Sequence, residues 1–248
     1  MNIAIIGYGK MGREIAKAAE AKGISARTID PNAKDADFKE INQESMEGID
    51  VCLDFSHPDA VAGNIEKAAG FRKSMVIGTT GWYNSIDKAK KIVKDAGIGL
   101  VWSGNFSLGV NAYFGIIGGA AKIMNKLADY DVFVHEFHHS QKADSPSGTA
   151  IMLGKIITTN IKRKSKIVTG ELKRKIGPNE LHISSTRSGS IPGTHIVGFD
   201  SKADTIEIRH TARSREGFAL GALMAAEWVK GRKGFYGIED MLGNEGGK

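Results

Sequence analysis

The 248 residues are 41% hydrophobic and 25% charged, enough for one large domain or two modest ones with their own cores, and no apolar run reaches the ~20 residues of a membrane helix. The lone cysteine, Cys52, excludes an internal disulfide and fits a reducing, cytoplasmic setting; Met1 to Ile6 also lack the basic start and cleavage site of a secretory leader. The net charge of +6 is spread along the chain, with Lys162-Arg163-Lys164 as its densest run, so it reads as solvated surface or as steering of an anionic substrate and cofactor, not as a nucleic-acid or membrane surface.

Asn2 to Ile6 reads as a short apolar strand closed by Gly7, followed by a helix over Lys10 to Ala21 with Met11, Ile15 and Ala18 on one face and Gly23 as its stop. Strands at Ile24 to Ile29 and Val51 to Phe55 follow, the second burying Cys52 as a structural thiol. His57-Pro58 opens a helix to Ala69; Ser74 to Ile77 is a strand, Tyr83 to Ala96 a helix and Gly99 to Trp102 a strand. This alternation predicts a parallel sheet wrapped by helices.

The pattern then changes. Leu108 to Leu127 reads as one long helix despite its glycines, and Tyr130 to His138 as a strand. Ser147 to Asn160 is a helix begun after Pro146, and Lys166 to Thr169 and Leu181 to Thr186 are strands. Thr194 to Phe199 and Thr205 to His210 are strands joined by a polar turn, and Arg215 to Lys230 is a closing helix. Gly231 to Lys248 reads as a Gly-rich tail, at best partly ordered.

Gly7-Tyr8-Gly9-Lys10-Met11-Gly12 is a G-x-G-x-x-G finger between a strand and a helix. Its glycines permit a tight turn, close approach to a pyrophosphate and tight helix packing, and the helix N-terminus offers N–H groups to phosphate. Asp30, at the end of the second strand, suits the ribose hydroxyls of NAD and opposes a 2′-phosphate, so NADH is expected to serve at least as well as NADPH. Gly78-Thr79-Thr80-Gly81 and Ser103-Gly104-Asn105-Phe106-Ser107 each follow a strand, where ligands of open α/β sheets bind, and either can cradle a nicotinamide.

The densest chemistry runs from Glu136 to Ala150. Strand alternation places Glu136 and His138 on one face and His135, Phe137 and His139 on the other, with Lys142 in the loop beyond. Ser147-Gly148-Thr149 then forms a first helical turn whose N–H groups and hydroxyls suit a carboxylate. His138 and His139 point apart and no metal-spaced partner stands out, so no metal is expected; structural roles for the two histidines stay open.

The stretch Glu136 to Thr149 resembles the E-x-H-H-x-x-K-x-D-x-P-S-G-T segment of the dihydrodipicolinate reductases. Gly78-Thr79-Thr80-Gly81, Asn105-Phe106-Ser107, Arg187-x-Gly189-x-x-x-Gly193-x-His195, and His210 followed by Arg215-x-x-Phe218-Ala219-x-Gly221-Ala222 are similar to further family motifs, in family order. The resemblance implies an α/β fold: an N-terminal Rossmann-type doubly wound parallel sheet over residues 1–109 and 212–248, and a C-terminal α+β substrate-binding and oligomerisation domain with a mixed sheet over 110–211. It implies that His138 is the proton donor and that Lys142 holds a substrate carboxylate and assists protonation. His139, Ser147, Gly148 and Thr149 would bind carboxylate, and Arg215 would lie near the cofactor. Gly7, Gly9, Lys10, Met11, Gly12, Asp30, Gly78, Thr79, Thr80, Ser103, Asn105 and Phe106 complete the expected NADH or NADPH site.

The chain departs from the family in its shorter glycine finger, in Gly104 where proline is frequent, and in His57 where many members carry a basic residue near the 2′-phosphate site. The implied activity is 4-hydroxy-tetrahydrodipicolinate reduction in lysine biosynthesis by a homotetramer, which requires the finger and the segment 138–149 to share one cleft. A related dehydrogenase of open-chain amino or diamino acids, and a non-catalytic NAD(H)-sensing DNA-binding regulator, are the alternatives.

Overall fold

Short apolar runs become strands and the amphipathic stretches between them helices across residues 1–243, which the computed structural model describes. The first half comprises β1 (Asn2–Ile6), α1 (Lys10–Ala21), β2 (Ser25–Ile29), α2 (Gln43–Met46), β3 (Val51–Asp54), α3 (Pro58–Gly70), β4 (Ser74–Ile77), α4 (Ile86–Ala96) and β5 (Gly99–Trp102). A 3₁₀ turn at Tyr83–Ser85 leads into α4. The rest comprises α5 (Leu108–Met124), β6 (Asp131–His138), α6 (Gly148–Asn160), β7 (Lys166–Thr169), β8 (Glu180–Arg187), β9 (Thr194–Asp200), β10 (Thr205–Thr211), α7 (Glu216–Val229), β11 (Gly234–Gly237) and α8 (Ile238–Met241). The chain divides into two compact units, one made of Met1–Leu108 with the segment from Arg215 onward, the other of Gly109–Ser214. No helix among the described residues is long and apolar enough to cross a membrane.

The first unit is a six-stranded parallel sheet in the order β11-β5-β4-β3-β1-β2. Strand alternation divides its core. Ala4, Ile6, Cys52, Met75 and Ile77 face Val61 and Ile65 of α3 and Val93 of α4, while Ile3, Ile5, Leu53 and Val76 face Ile15 of α1 and Ala222 and Ala226 of α7. Cys52 is buried, and burial pushes its thiol up to about 12, so it is an unreactive packing group.

The second unit is a mixed five-stranded sheet in the order β10-β9-β6-β8-β7, in which β8 runs parallel to β6 and β9 antiparallel. Val132, Val134, Leu181, Ile183, Val197 and Phe199 pack one face against Tyr113, Ile117, Leu153 and Ile157 of α5 and α6. The other face presents Phe133, His135 and Phe137, each half-buried. At the carboxyl end of β6 the helix-covered face turns polar, because the register continues the apolar rows into Glu136–Ser185–His195 and then His138–Arg187.

Two expectations need correction, and one element had none. The Gly-rich tail forms β11 and α8. β11 has no apolar alternation of its own and exists because the exposed edge of β5 accepts it, with Phe235 and Ile238 packing into the core. Residues 244–248 of that tail lie outside the described residues. The basic run is not plain solvated surface: Lys164 is buried, bonded to the Glu180 carbonyl and Asp131, and Arg163 donates to carbonyls at the end of α5 and to Tyr130. The single turn α2, held by reciprocal Asn42 and Ser45 bonds, lies in a polar stretch that shows no helical period.

Phe199 is fully buried between the mixed sheet and its helices. Phe199→Ala is expected to destabilise the protein by ~3–5 kcal/mol, read as a lower urea midpoint by far-ultraviolet circular dichroism.

Candidate active site

In the first unit the glycine finger closes over the carboxyl ends of β1 and β3. Gly7 has φ +92, and a Cβ there would stand 2.5 Å from the Phe55 carbonyl oxygen. A Cβ on Gly12 would stand 2.1 Å from the Gly7 carbonyl oxygen, so α1 can pack onto the turn only without one. Gly9, the N-cap of α1, meets nothing within 4 Å and makes no side-chain cap. One side of the turn is therefore packed tight. The other presents an open helix N-terminus, the arrangement a pyrophosphate needs, with Lys10 exposed beside it. The donor set fits a dinucleotide.

Asp30 supports this turn. Its carboxylate accepts the N–H of Tyr8 at 2.8 Å, of Asn32 at 2.8 Å and of Ala33 at 3.1 Å. Burial raises its pKa, but these backbone donors and Lys39 outweigh burial and leave it lowered. Arg13 is held by Asp35 at 2.6 and 2.8 Å and lies over the Tyr8 ring at 4.3 Å. His57 is exposed; it caps α3 by accepting the Asp59 N–H.

A cavity of about 260 Å³ in the same unit is lined by Met11, Gly78, Ser103, Asn105, Phe106 and Arg215, all expected from the sequence, and by Phe55 and Phe218, which were not. The Phe55 ring lies where a Cβ on Gly78 would be, 2.1 Å from its Cε1, and packs against Phe106 with centroids 6.1 Å apart. Thr79 turns inward: its hydroxyl donates to Asp54 at 2.9 Å, so it braces the loop, while Thr80 is exposed. Asp54 is fully buried and also accepts from the Ser56 N–H and hydroxyl and from the Asn64 amide. Sequence reasoning missed Asp54, since its partners come from three separate segments. Ser103 is likewise engaged locally, bonding the Asn105 N–H and carbonyl.

In the second unit the polar end of the sheet gathers around Glu136, which is fully buried. Its Oε1 accepts the Ser147 N–H at 2.9 Å, the Ser185 hydroxyl at 2.8 Å and the Arg187 guanidinium at 2.8 Å. Its Oε2 stands 3.1 Å from His138 Nδ1 and 3.5 Å from His195 Nε2. Burial would raise the Glu136 pKa, but His195, Ser147, Arg187 and Ser185 hold it well below the usual carboxylate range. His138 is pushed down to about 4, first by burial, against the pull of Glu136 and with His195, Lys142 and Arg187 adding to the fall.

Ser147 caps α6, accepting the Ala150 N–H at 3.2 Å and meeting His195 Nε2 at 3.1 Å. Gly148 is exposed with open space about it, and Thr149 is half-buried. Lys142 pairs with Asp144 at 2.6 Å, and Arg187 also donates to the Asp144 carbonyl at 2.6 Å. His139 is half-buried and takes no part in the Glu136 group.

Arg187 and His195 are therefore parts of this group that sequence spacing could not connect to Glu136, although the motif around them was visible. Ligand-type atoms of Glu136, His138 and His195 lie within 4.8 Å of one another, a proximity not expected from the chain. The guanidinium already on Glu136 makes the trio a charge-balanced pair with two imidazoles, and we assign it no metal.

The His138 shift sets a stability window. The unfolded imidazole binds a proton near its ordinary 6.5, the folded one only near 4, so acidification through that interval favours the unfolded state. Glu136 is depressed in the fold, so its contribution is lost only at still lower pH. The urea midpoint is expected to fall between pH 6.5 and 4, and His138→Gln to flatten that segment of a midpoint-against-pH series.

Known proteins share this architecture. The family described as "Dihydrodipicolinate reductase, N-terminus" matches residues 1–106, and "Dihydrodipicolinate reductase, C-terminus" matches residues 109–242. A 4-hydroxy-tetrahydrodipicolinate reductase from Christiangramia forsetii is 40% identical over 245 residues, covering 98% of each chain. Another, from Methanosarcina mazei, is 34% identical and covers 97% of this chain and 89% of its own. A solved dipicolinate-bound dihydrodipicolinate reductase from Paenisporosarcina sp. TG-14 superposes with a TM-score of 0.75 at 23% identity, over 97% of this chain and 99% of that one. Aspartate dehydrogenase from Thermotoga maritima gives 0.50 at 13% identity, over 93% and 97%; at such identities the two structures speak for the fold alone. With both halves matched and a 40% identical relative along nearly the full length, the chain belongs to the dihydrodipicolinate reductase family.

Proposed function

We propose that this chain reduces 4-hydroxy-tetrahydrodipicolinate to tetrahydrodipicolinate with NADH or NADPH, in the diaminopimelate route to lysine. The observation that carries the reading is the close set formed by His138, the ionised Glu136–Arg187 pair and the N-terminus of α6, because a proton donor beside a carboxylate-binding helix end is what reduction of an imine dicarboxylate needs. When bound, the reduced nicotinamide supplies the hydride. Gly7, Gly9, Lys10, Met11 and Gly12 would hold the pyrophosphate, Asp30 the ribose, and the cavity lined by Gly78, Ser103, Asn105, Phe106 and Arg215 the nicotinamide side, with Thr79 and Thr80 shaping its loop.

His138 delivers the proton, a role that typically contributes ~10²–10⁴-fold. Its low proton affinity leaves it neutral until a doubly negative substrate raises that affinity on binding. Lys142 exchanges Asp144 for a substrate carboxylate. Gly148 and Thr149 receive carboxylate at the helix end, with His139 beside them, while Ser147 fixes that end through its cap.

The protein works in the cytoplasm as a homotetramer assembled through the uncovered face bearing Phe133, His135 and Phe137. The half-buried aromatic rows on a sheet face without helices support this.

Purified protein is expected to oxidise NADH on addition of freshly made condensation product of pyruvate and aspartate semialdehyde, read as loss of absorbance; no oxidation with either cofactor overturns the reading. His138→Ala is expected to lower kcat by at least ~10²-fold with little change in KM, and Lys142→Ala to damage both. NADH is expected to match or exceed NADPH in kcat/KM because Asp30 opposes a 2′-phosphate, and a strong NADPH preference removes that role. Light scattering is expected to give four chains per particle, with Phe133→Glu reducing the number.

A further inference from the structure

His138 needs help to be a donor. Burial, His195, Lys142 and Arg187 all push its imidazole toward the neutral form, and Glu136 alone, among the charged groups facing it, pushes the other way. Beyond these, His210 lies across from His195 on the neighbouring strand, and Asp144 is taken up by Lys142.

Glu136 is committed on one side only. Its Oε1 carries three donors, while Oε2 makes no aligned hydrogen bond, and neither does His138 Nδ1; both are buried. They stand 3.1 Å apart, and His195 Nε2 is the next neighbour of Oε2 at 3.5 Å. A carboxylate held ionised has no proton to give, so the contact is favourable only when Nδ1 carries the hydrogen. Loose alignment of this kind is common in catalytic pairs before substrate binds.

The other ring nitrogen has one neighbour of note. A Cβ on Gly193 would stand 2.9 Å from His138 Nε2, and Gly193 has φ +151, where side chains are disfavoured. Only a bare glycine leaves room beside Nε2 on that side.

We infer that Glu136 is the positioning residue of the proton transfer: it holds a hydrogen on His138 Nδ1, directs the exchangeable proton to Nε2 beside Gly193, and balances the imidazolium before donation. The inference rests on the reductase reading given above. In the step, the Nε2–H bond breaks, its electron pair stays on Nε2, the proton goes to the reduced substrate, and Nδ1–H is retained against Glu136. Solvent restores the Nε2 proton. Because the same carboxylate accepts the Ser147 N–H, it also ties the donor to the carboxylate-binding end of α6.

The test combines imidazole ¹⁵N spectra of the ¹⁵N-histidine-labelled full chain with steady-state kinetics. Neutral His138 is expected as the Nδ1–H tautomer, moving toward Nε2–H in Glu136→Gln with a lower titration midpoint. Glu136→Gln is expected to lower kcat by about tenfold or more with KM within about twofold, and to shift the basic limb of the kcat–pH profile acidward. Glu136→Asp is expected to recover part of the rate. Glu136→Gln/His138→Ala is expected to be no slower than His138→Ala, since positioning acts only through that histidine. An Nε2–H tautomer in the unsubstituted protein, an unmoved pH limb, or additive losses would each overturn the inference. If the chain oxidises neither cofactor, the reductase reading fails, while the unsubstituted spectrum still decides the tautomer, as it does if Glu136→Gln does not fold.

Discussion

A buried carboxylate is stable only where donors surround it, and the second unit, which adds a counter-charge, is organised around that requirement. Taking Glu136 out of water carries a penalty of several kcal/mol, and removing one partner of such a pair typically costs ~3–5 kcal/mol. Arg187 supplies the charge, Ser185 a hydroxyl, and Ser147 the N–H that begins α6. The three come from β8 and from the start of a helix, so satisfying one oxygen fixes the end of the sheet, the entry to α6 and the loop between them. The polar group sits where the apolar rows of the core face run out, so chemistry is placed on a scaffold whose other end is fully packed.

The first unit buries a second carboxylate by different means. Asp54 receives neutral donors from Ser56, Asn64 and Thr79 and braces the loop after β4 without a cation among its hydrogen-bond partners. The difference suits the two tasks. A dinucleotide brings its own negative charge to a turn that must be shaped rather than charged, and glycines with open backbone donors achieve that. The buried His138 has a nearby negative charge, Glu136, that opposes the burial and the cations pushing it toward the neutral form.

Net charge counted along the chain is not the charge offered to partners, for a physical reason. Several cations are taken up by the protein's own groups: Lys164 is buried on Asp131 and a carbonyl, Arg163 binds carbonyls at a helix end, and the exposed Arg174 and Lys166 pair with Glu180. Charge counted along a chain does not distinguish a cation that faces solvent from one that closes a helix end.

What the chain determined by itself was local. Apolar runs of strand length, helical spacing from Lys10 to Ala21 and a glycine finger between them were legible because each depends on neighbours a few residues away. So were His138 at the end of its strand and a helix entered after Pro146, although Ser147, read as its first residue, is its cap. The tertiary structure decided which strands pair and in what register, and from that came the meeting of Glu136 with Arg187 and His195, the bracing of Thr79 by Asp54, and the capture of Gly234–Gly237 by the edge of β5. These contacts join residues far apart in the chain, and their energies depend on burial, which exists only once the sheets have formed.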